Sequence, residues 1–315
     1  MTSTLDLTIV ALRRLSARIA LIELRAAEGA ALPAFTAGAH LPVNVPGVGR
    51  RQYSLVNDPA ETHRYCIAVA RRDDGRGGSL ALHRHAGLGT KVTAEAPVNL
   101  FPLEDSDAPV CLVGGGIGVT PLVSMAHRLW CAGRAFDLHC ALAEADLPGI
   151  AEWLSEMPFA ERVHFHGGSL PSARLDIPAL AAGTDPATRI YVCGPGIMIA
   201  EAEATFGARD MAVMSERFTA SGTEAETTGG FEIEIPSCGQ LVCVAEGQSA
   251  LEALRSAGVS VESSCEAGVC GSCRTKVLSG QLEHHDYVLT PQERAEGSVF
   301  MPCVSRGSGR IVADL

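Results

Sequence analysis

No stretch of this chain approaches the roughly 18 consecutive apolar residues that a membrane-spanning helix needs. Residues 1–9 carry Asp6 and lack the basic-then-apolar order of a secretion signal. A cytoplasmic protein without membrane attachment is the expectation. Basic charge is also scarce: the formal net charge is -11, which leaves no surface of the kind that nucleic acid requires. A disulfide framework is missing too, since the cysteines number eleven, an odd total. Seven of them (Cys66, Cys111, Cys131, Cys140, Cys193, Cys238, Cys243) are scattered and read as free core thiols of a reducing compartment. No internal repeat is present. At 315 residues the chain exceeds one typical domain and suits two or three.

What charge there is falls unevenly. Residues 1–102 carry twelve Lys/Arg against eight Asp/Glu, a net of +4; residues 103–228 carry seven against seventeen, a net of −10; residues 229–315 carry six against eleven, a net of −5. A small anion belongs in the one basic segment. Residues 101–109 are polar and proline-flanked, and residues 219–230 form a linker of low hydrophobicity. Three domains are therefore expected, at 1–102, 103–220 and 229–315. Short strands at 41–45, 53–56 and 65–71 with frequent turn signals predict a small β-barrel in the first. The second alternates apolar strands at 110–113, 137–142 and 189–193 with helical stretches at 122–131, 150–156 and 197–206, which predicts βαβ units on a parallel sheet.

The third domain holds the most specific pattern. Ser264-Cys265-Glu266-Ala267-Gly268-Val269-Cys270-Gly271-Ser272-Cys273 has C-x4-C-x2-C spacing, and Cys303 supplies a distant fourth thiol. This is the plant-type spacing for a [2Fe–2S] cluster. Gly268 and Gly271 let the backbone turn N–H groups toward the sulfurs. A structural zinc site also takes four thiolates but usually arrives as two short C-x2-C-like pairs.

In the second domain, Val110-Cys111-Leu112-Val113 runs into Gly114-Gly115-Gly116-Ile117-Gly118-Val119-Thr120-Pro121. Glycines at a strand-to-helix turn let a pyrophosphate approach the backbone, and Pro121 suits a first helical turn. The run does not match G-x-G-x-x-G. Tyr191-Val192-Cys193-Gly194-Pro195-Gly196 also ends a strand and opens a helix, and in an open α/β sheet both turns lie on one carboxyl edge. In the first domain, Arg50-Arg51-Gln52-Tyr53-Ser54-Leu55 places a cation, an aromatic and a hydroxyl within four residues. The segment Arg71-Arg72-Asp73-Asp74-Gly75-Arg76-Gly77-Gly78-Ser79-Leu80 opens a helix with free N–H groups and a serine. Together they suggest a flavin mononucleotide.

The Arg-x-Tyr-Ser-Leu segment, the Gly-Gly-Ile-Gly-Val-Thr-Pro turn, the Cys-Gly-Pro turn and the cluster loop, in this order, resemble the phthalate dioxygenase reductase family, its vanillate demethylase reductase-like members above all. The resemblance spans essentially the whole chain. It implies an antiparallel β-barrel flavin domain, an α/β parallel-sheet nucleotide-binding domain and an α+β β-grasp ferredoxin domain. It also implies that Arg51, Tyr53, Ser54, Gly77, Gly78 and Ser79 hold FMN, with Tyr53 against the ring and Ser54 near its reactive nitrogen. Gly116, Thr120, Cys193, Gly194 and Pro195 would receive NADH, with Thr120 and Cys193 beside the nicotinamide, so that Ser54, Thr120 and Cys193 stand closest to the chemistry. Phe218 takes the place of the family's aromatic at the exit of the nucleotide domain. Cys265, Cys270, Cys273 and Cys303 would ligate the cluster.

The activity so implied is electron splitting: NADH gives two electrons at once, FMN takes the pair and releases single electrons, and the cluster, at on the order of −400 mV for its type, passes them on. No general acid or base is called for. The family's acceptor is the Rieske centre of a separate non-haem iron oxygenase, and a monomer without nucleic-acid partners is expected. A flavin and iron–sulfur reductase serving a diiron hydroxylase or a cytochrome is the alternative within enzymes; a non-enzymatic carrier or redox sensor is the alternative outside them. No Lys or Arg lies between Arg134 and Arg162, so a 2′-phosphate lacks a partner after the second strand and NADH is favoured over NADPH; Glu144 or Asp146 is left to accept ribose hydroxyls. His83/His85, His164/His166 and His284/His285 read as surface or satisfied histidines, and Glu201 and Glu203 as a wet helix face.

Overall fold

A computed structural model describes residues 4–45, 47–73, 77–168, 174–218 and 229–315. Most of the linker expected at 219–230, and Asp74, Gly75 and Arg76 of the loop before the first helix, lie outside them. The chain divides into two compact units, Met1–Glu216 and Arg217–Leu315.

The first unit opens with β1 (Thr4–Arg14), β2 (Ile19–Ala26), β3 (His40–Val45), β4 (Gly49–Ser54), β5 (Tyr65–Ala70), helix α1 (Gly78–His85) and β6 (Lys91–Glu95). The strands pair in the order β4-β3-β6-β1-β2-β5, all antiparallel, and a Leu55–Ile67 bridge nearly closes the barrel. Alternate positions such as Ala20, Ile22 and Leu24 fill its interior with Leu7, Leu41, Val43, Ile67 and Val69. Burying each such Leu or Ile contributes about 1.5–3 kcal/mol. The strand expected at 53–56 instead spans Gly49–Ser54. It coincides with the alternating run Arg50–Leu55, and pairing with β3 from Val45↔Gly49 to His40↔Ser54 draws the Arg50-Arg51 pair into the ladder.

The chain continues through β7 (Val110–Gly115), α2 (Val119–Cys131), β8 (Phe136–Leu142), α3 (Leu147–Ser155), β9 (Val163–Gly167), α4 (Ile177–Gly183), β10 (Arg189–Cys193), α5 (Gly196–Gly207) and β11 (Val213–Glu216). The sheet order is β11-β10-β7-β8-β9 and every pair is parallel. The chain's course across the sheet reverses between β7 and β10, which opens a crevice at their carboxyl ends. The break expected at 102/103 separates two sheets but not two cores. Leu15, Ile19 and Phe101 from the barrel side share one cluster with Leu122, Met125 and Trp153. A Cβ on Gly149 would lie 1.5 Å from the Leu15 carbonyl oxygen, so only glycine allows α3 to approach this closely.

The second unit comprises β12 (Phe231–Ile235), β13 (Gln240–Val244), α6 (Ala250–Ser256), β14 (Thr275–Glu283), α7 (Pro291–Glu296), β15 (Val299–Phe300) and β16 (Arg306–Asp314). Its sheet order is β13-β12-β16-β14-β15, with β12 and β16 parallel and the other pairs antiparallel. Ala250, Ala253 and Leu254 of α6 pack on Ile233, Ile235 and Val277, completing a β-grasp. Capping boxes, Ser249 with Glu252 and Thr290 with Glu293, start α6 and α7. Among the described residues no helix is long and apolar enough to cross a membrane.

Candidate redox and nucleotide sites

Cys265, Cys270 and Cys273 lie between α6 and β14, and Cys303 lies between β15 and β16. The Sγ atoms of Cys273 and Cys303 are 3.2 Å apart, and Cys265 and Cys270 hydrogen-bond to each other. Four thiols thus fall into two pairs. Two pairs of thiols suit two irons with two thiolates each. Glu266 (φ 49), Gly268 (φ 68) and Gly271 (φ 72) turn the loop's N–H groups inward. Ala267 N–H donates to Cys265 Sγ at 3.3 Å, Val269 N–H reaches the same sulfur, Ser272 N–H reaches Cys270, and Gly268 N–H reaches Cys303. Gly268 also tolerates no side chain, because a Cβ would meet Val304 Cγ2 at 2.6 Å. Hydrogen bonding from Cys265 pulls the Cys270 thiol down, and the same contact pushes Cys265 up, so the two sulfurs titrate as one pair. Leu251, Leu289 and Met301 pack around Cys273 and Cys303, a dry wall of the kind that tunes a cluster's potential.

On β4, Arg51 lies opposite Val43, Tyr53 opposite Leu41 and Ser54 opposite His40. Arg51 and Tyr53 therefore share a face, and Ser54 closes the strand on the other. The Arg51 stem rests on Gly78, where a Cβ would stand 2.7 Å from Arg51 Cγ. Gly77, at φ 79, precedes α1, and among the described residues no side chain caps that helix. Its first N–H groups are left for an anion beside a guanidinium. Ser79 Oγ accepts the Arg72 N–H at 3.0 Å and keeps its own proton to donate. Burial pushes the Tyr53 phenol well up, so the ring stays neutral. Donors, cation, ring and hydroxyl fit the phosphate and isoalloxazine of FMN.

The two glycine turns meet at the carboxyl edge between β7 and β10. A Cβ on Gly118 would lie 2.3 Å from the Cys193 carbonyl oxygen, one on Gly194 2.9 Å from Gly115 Cα, and one on Gly115 2.6 Å from Pro195 Cδ. Gly116 has open space around it but sits at φ 55. Among the described residues α5 has no side-chain cap and turns its first N–H groups to the crevice, whereas a 3-10 turn at Gly116–Gly118 leads into α2 and takes the Val119 N–H on the Gly116 carbonyl. Thr120 is buried and donates its hydroxyl to the Ile117 carbonyl at 2.8 Å, which leaves its oxygen to accept. Cys193 is fully buried, and burial, then Glu216, pushes its thiol far up.

Glu216 is the residue that sequence reasoning missed. It ends β11 in register with Cys193, its Oε2 is buried without a hydrogen-bond partner, and burial pushes its carboxyl up to about 8. At neutral pH it holds a proton beside the Cys-Gly-Pro turn. An acid on the last residue of the strand neighbouring that turn was the available signal. Phe218, 37% exposed, falls with the second unit, where the preceding Arg217 lies over the Tyr287 ring at 4.9 Å.

Other expectations change. Asp146, one of the two acids offered for the ribose, is held by Arg18 and Ser16, and Glu144 is exposed. Cys131, Cys238 and Cys243 are exposed rather than core thiols. Glu203 accepts the Ser215 hydroxyl at 2.6 Å. His139, which formed no pair in the sequence, joins His166 at 3.0 Å and stacks on His164. His284 is half-buried, with Nδ1 3.8 Å from Asp286 Oδ2.

A barrel with an anion cradle, a parallel sheet with paired glycine turns and a four-thiol module define a modular electron-transfer oxidoreductase. Residues 233–307 match the family model of the 2Fe-2S iron-sulfur cluster binding domain. The chain is 38% identical over 316 residues to a vanillate O-demethylase oxidoreductase of Pseudomonas sp. (strain HR199 / DSM 7063), covering 99% of this chain and 100% of the relative. It is 36% identical over 316 residues to a heme-dependent oxidative N-demethylase beta subunit of Ectopseudomonas mendocina (strain ymp), covering 100% of both. A solved phthalate dioxygenase reductase, described as a modular structure for electron transfer from pyridine nucleotides to [2Fe-2S], superposes with a TM-score of 0.80 at 36% identity over 99% of this chain and 98% of the other. The chain belongs to the phthalate dioxygenase reductase family. It is an NADH-dependent oxidoreductase, the reductase component of an oxygenase system, and carries electrons through FMN to a [2Fe–2S] cluster.

Proposed function

We propose that this reductase, a cytoplasmic monomer, delivers single electrons to the Rieske centre of a separate non-haem iron oxygenase. The observation that carries the reading is the two-pair thiol module: Cys273 and Cys303 are buried while Cys265 and Cys270 are half-buried, so a partner approaches on the Cys265/Cys270 side. FMN, when bound, supplies the exchange between paired and single electrons. The chain's own residues orient it. Arg51, Gly77, Gly78 and Ser79 would hold the phosphate, Tyr53 would lie against the ring, and Ser54 would stand near the reactive nitrogen. Gly116, Gly194 and Pro195 keep the crevice shallow enough for the pyrophosphate, and Thr120 and Cys193 seat the nicotinamide over the flavin. Phe218 takes the place of the family's aromatic at the exit of the nucleotide domain. Cys265, Cys270, Cys273 and Cys303 ligate the cluster.

Turnover with purified Rieske oxygenases tests the acceptor: NADH-dependent product formation that requires both components is expected, and none with any Rieske partner would overturn it. The relative named as a heme-dependent N-demethylase subunit supports a second acceptor class, a haem oxygenase. Reduction of a haem partner but not a Rieske partner would favour it.

A further inference from the structure

The segment after β8 holds no cation of its own, but the fold carries one there from far away in sequence. Arg18, in the turn between β1 and β2, reaches Asp146, the residue before α3. Arg18 Nε donates to both carboxylate oxygens, at 3.0 and 3.2 Å, and Nη2 donates to Oδ2 at 2.5 Å. Ser16 Oγ donates to Oδ1 at 2.7 Å. Asp146 is 1% exposed, whereas the Arg18 side chain is 54% exposed. The Leu15–Gly149 contact pins this turn to the first turn of α3. The other cation brought to α3, Arg13, is likewise held, by Glu152 at 3.1 Å and Glu156 at 2.7 Å.

The carboxyl end of the second strand is where an open α/β sheet distinguishes a ribose hydroxyl from a 2′-phosphate, and an arginine is the side chain that accommodates the phosphate. A guanidinium recognises phosphate through the same fork that binds a carboxylate. Here the Nε–Nη2 edge of that fork is taken by Asp146. We propose that Asp146, by holding Arg18, is the determinant that makes this reductase reject NADPH, with exposed Glu144 left to meet the ribose hydroxyls. The inference deepens the assignment of NADH as donor and rests on it. A 2′-phosphate must compete with a buried carboxylate for Arg18 and meets an acid instead. Asp146→Asn keeps the shape and the acceptor for Ser16, removes the competing charge and frees Arg18.

The test is stopped-flow reduction of the bound flavin by NADH and by NADPH in the wild type, D146N, R18A and the double variant. Asp146→Asn should raise kcat/KM for NADPH by about tenfold or more, the contribution of one charge-assisted hydrogen bond, with the NADH value close to wild type. The gain should vanish when Arg18→Ala is added. A folded D146N protein without the gain, or a gain that survives in the double variant, would overturn the proposal. If D146N fails to fold, Arg18→Ala alone decides: an uncompensated Asp146 should lower the NADPH-to-NADH ratio several-fold, and an unchanged ratio counts against the idea. A wild type reduced equally well by both nucleotides would overturn the NADH assignment itself, an outcome read from a different arm.

Discussion

Residues whose chemistry is local were legible in the sequence. Cys265, Cys270 and Cys273 are spaced by one loop, and Arg51, Tyr53 and Ser54 by the alternation of a single strand. Glu216 and Arg18 were not, because each acquires its meaning from a partner far along the chain: Cys193 through strand register, Asp146 through the docking of a hairpin turn on a helix. Cys303→Ser should abolish the cluster's visible absorbance while NADH still reduces the flavin; intact cluster bands in a folded variant would remove Cys303 from the ligand set. Glu216 makes a pH prediction. Its folded pKa of about 8 lies above the ordinary 4.5, so the folded protein keeps a proton that the unfolded chain loses. Its contribution is fully present below about 4.5 and is lost as pH rises through about 8. Thermal stability should therefore decline across that window, and Glu216→Gln should flatten the decline. NADH-driven flavin reduction should weaken above about pH 8 in the wild type and stay level in E216Q; superimposable profiles would deny Glu216 a role.

At the scale of elements, the parallel sheet was readable because its strands are continuous apolar runs, and β7 is buried at all six positions. β4 was readable from the alternation of Arg50–Leu55, although the apolar run alone suggested 53–56, because pairing with β3 carries the arginine pair into the ladder. The two glycine turns were recognisable, but their mutual contact follows from β7 and β10 being neighbours despite β8 and β9 intervening in sequence. Gly118→Ala tests that contact. Its Cβ would stand 2.3 Å from the Cys193 carbonyl oxygen, so the Cys-Gly-Pro turn must move. Stability should fall by about 1–3 kcal/mol, the range of a backbone clash in a packed site. The KM for NADH should rise by about tenfold or more, in line with the sensitivity of such sites to displacements near 1 Å. Flavin content should remain unchanged. Calorimetry and nucleotide titration measure these, and a wild-type KM would show that the turns act independently.

Across the whole molecule, the order of motifs along the chain was legible and the packing was not. Leu15, Ile19 and Phe101 lie in barrel-side sequence yet fill a core with Leu122, Met125 and Trp153, a merger visible only once both sheets are placed. The first unit is accordingly expected to melt in one transition rather than two, which calorimetry of a fragment ending near Glu216 would check. Residues 229–315 carry a net charge of −5, so electron delivery to a basic partner surface should slow as ionic strength rises; turnover indifferent to salt would count against electrostatic docking. The central claim is a single route from NADH through FMN to the four-thiol cluster. Anaerobic titration with NADH, followed by absorbance and by low-temperature electron paramagnetic resonance, tests it most directly. The flavin bands should bleach and a reduced [2Fe–2S] signal should grow in the same titration, the latter absent from Cys303→Ser. Bleaching of the flavin with no cluster signal in the wild type would contradict the account.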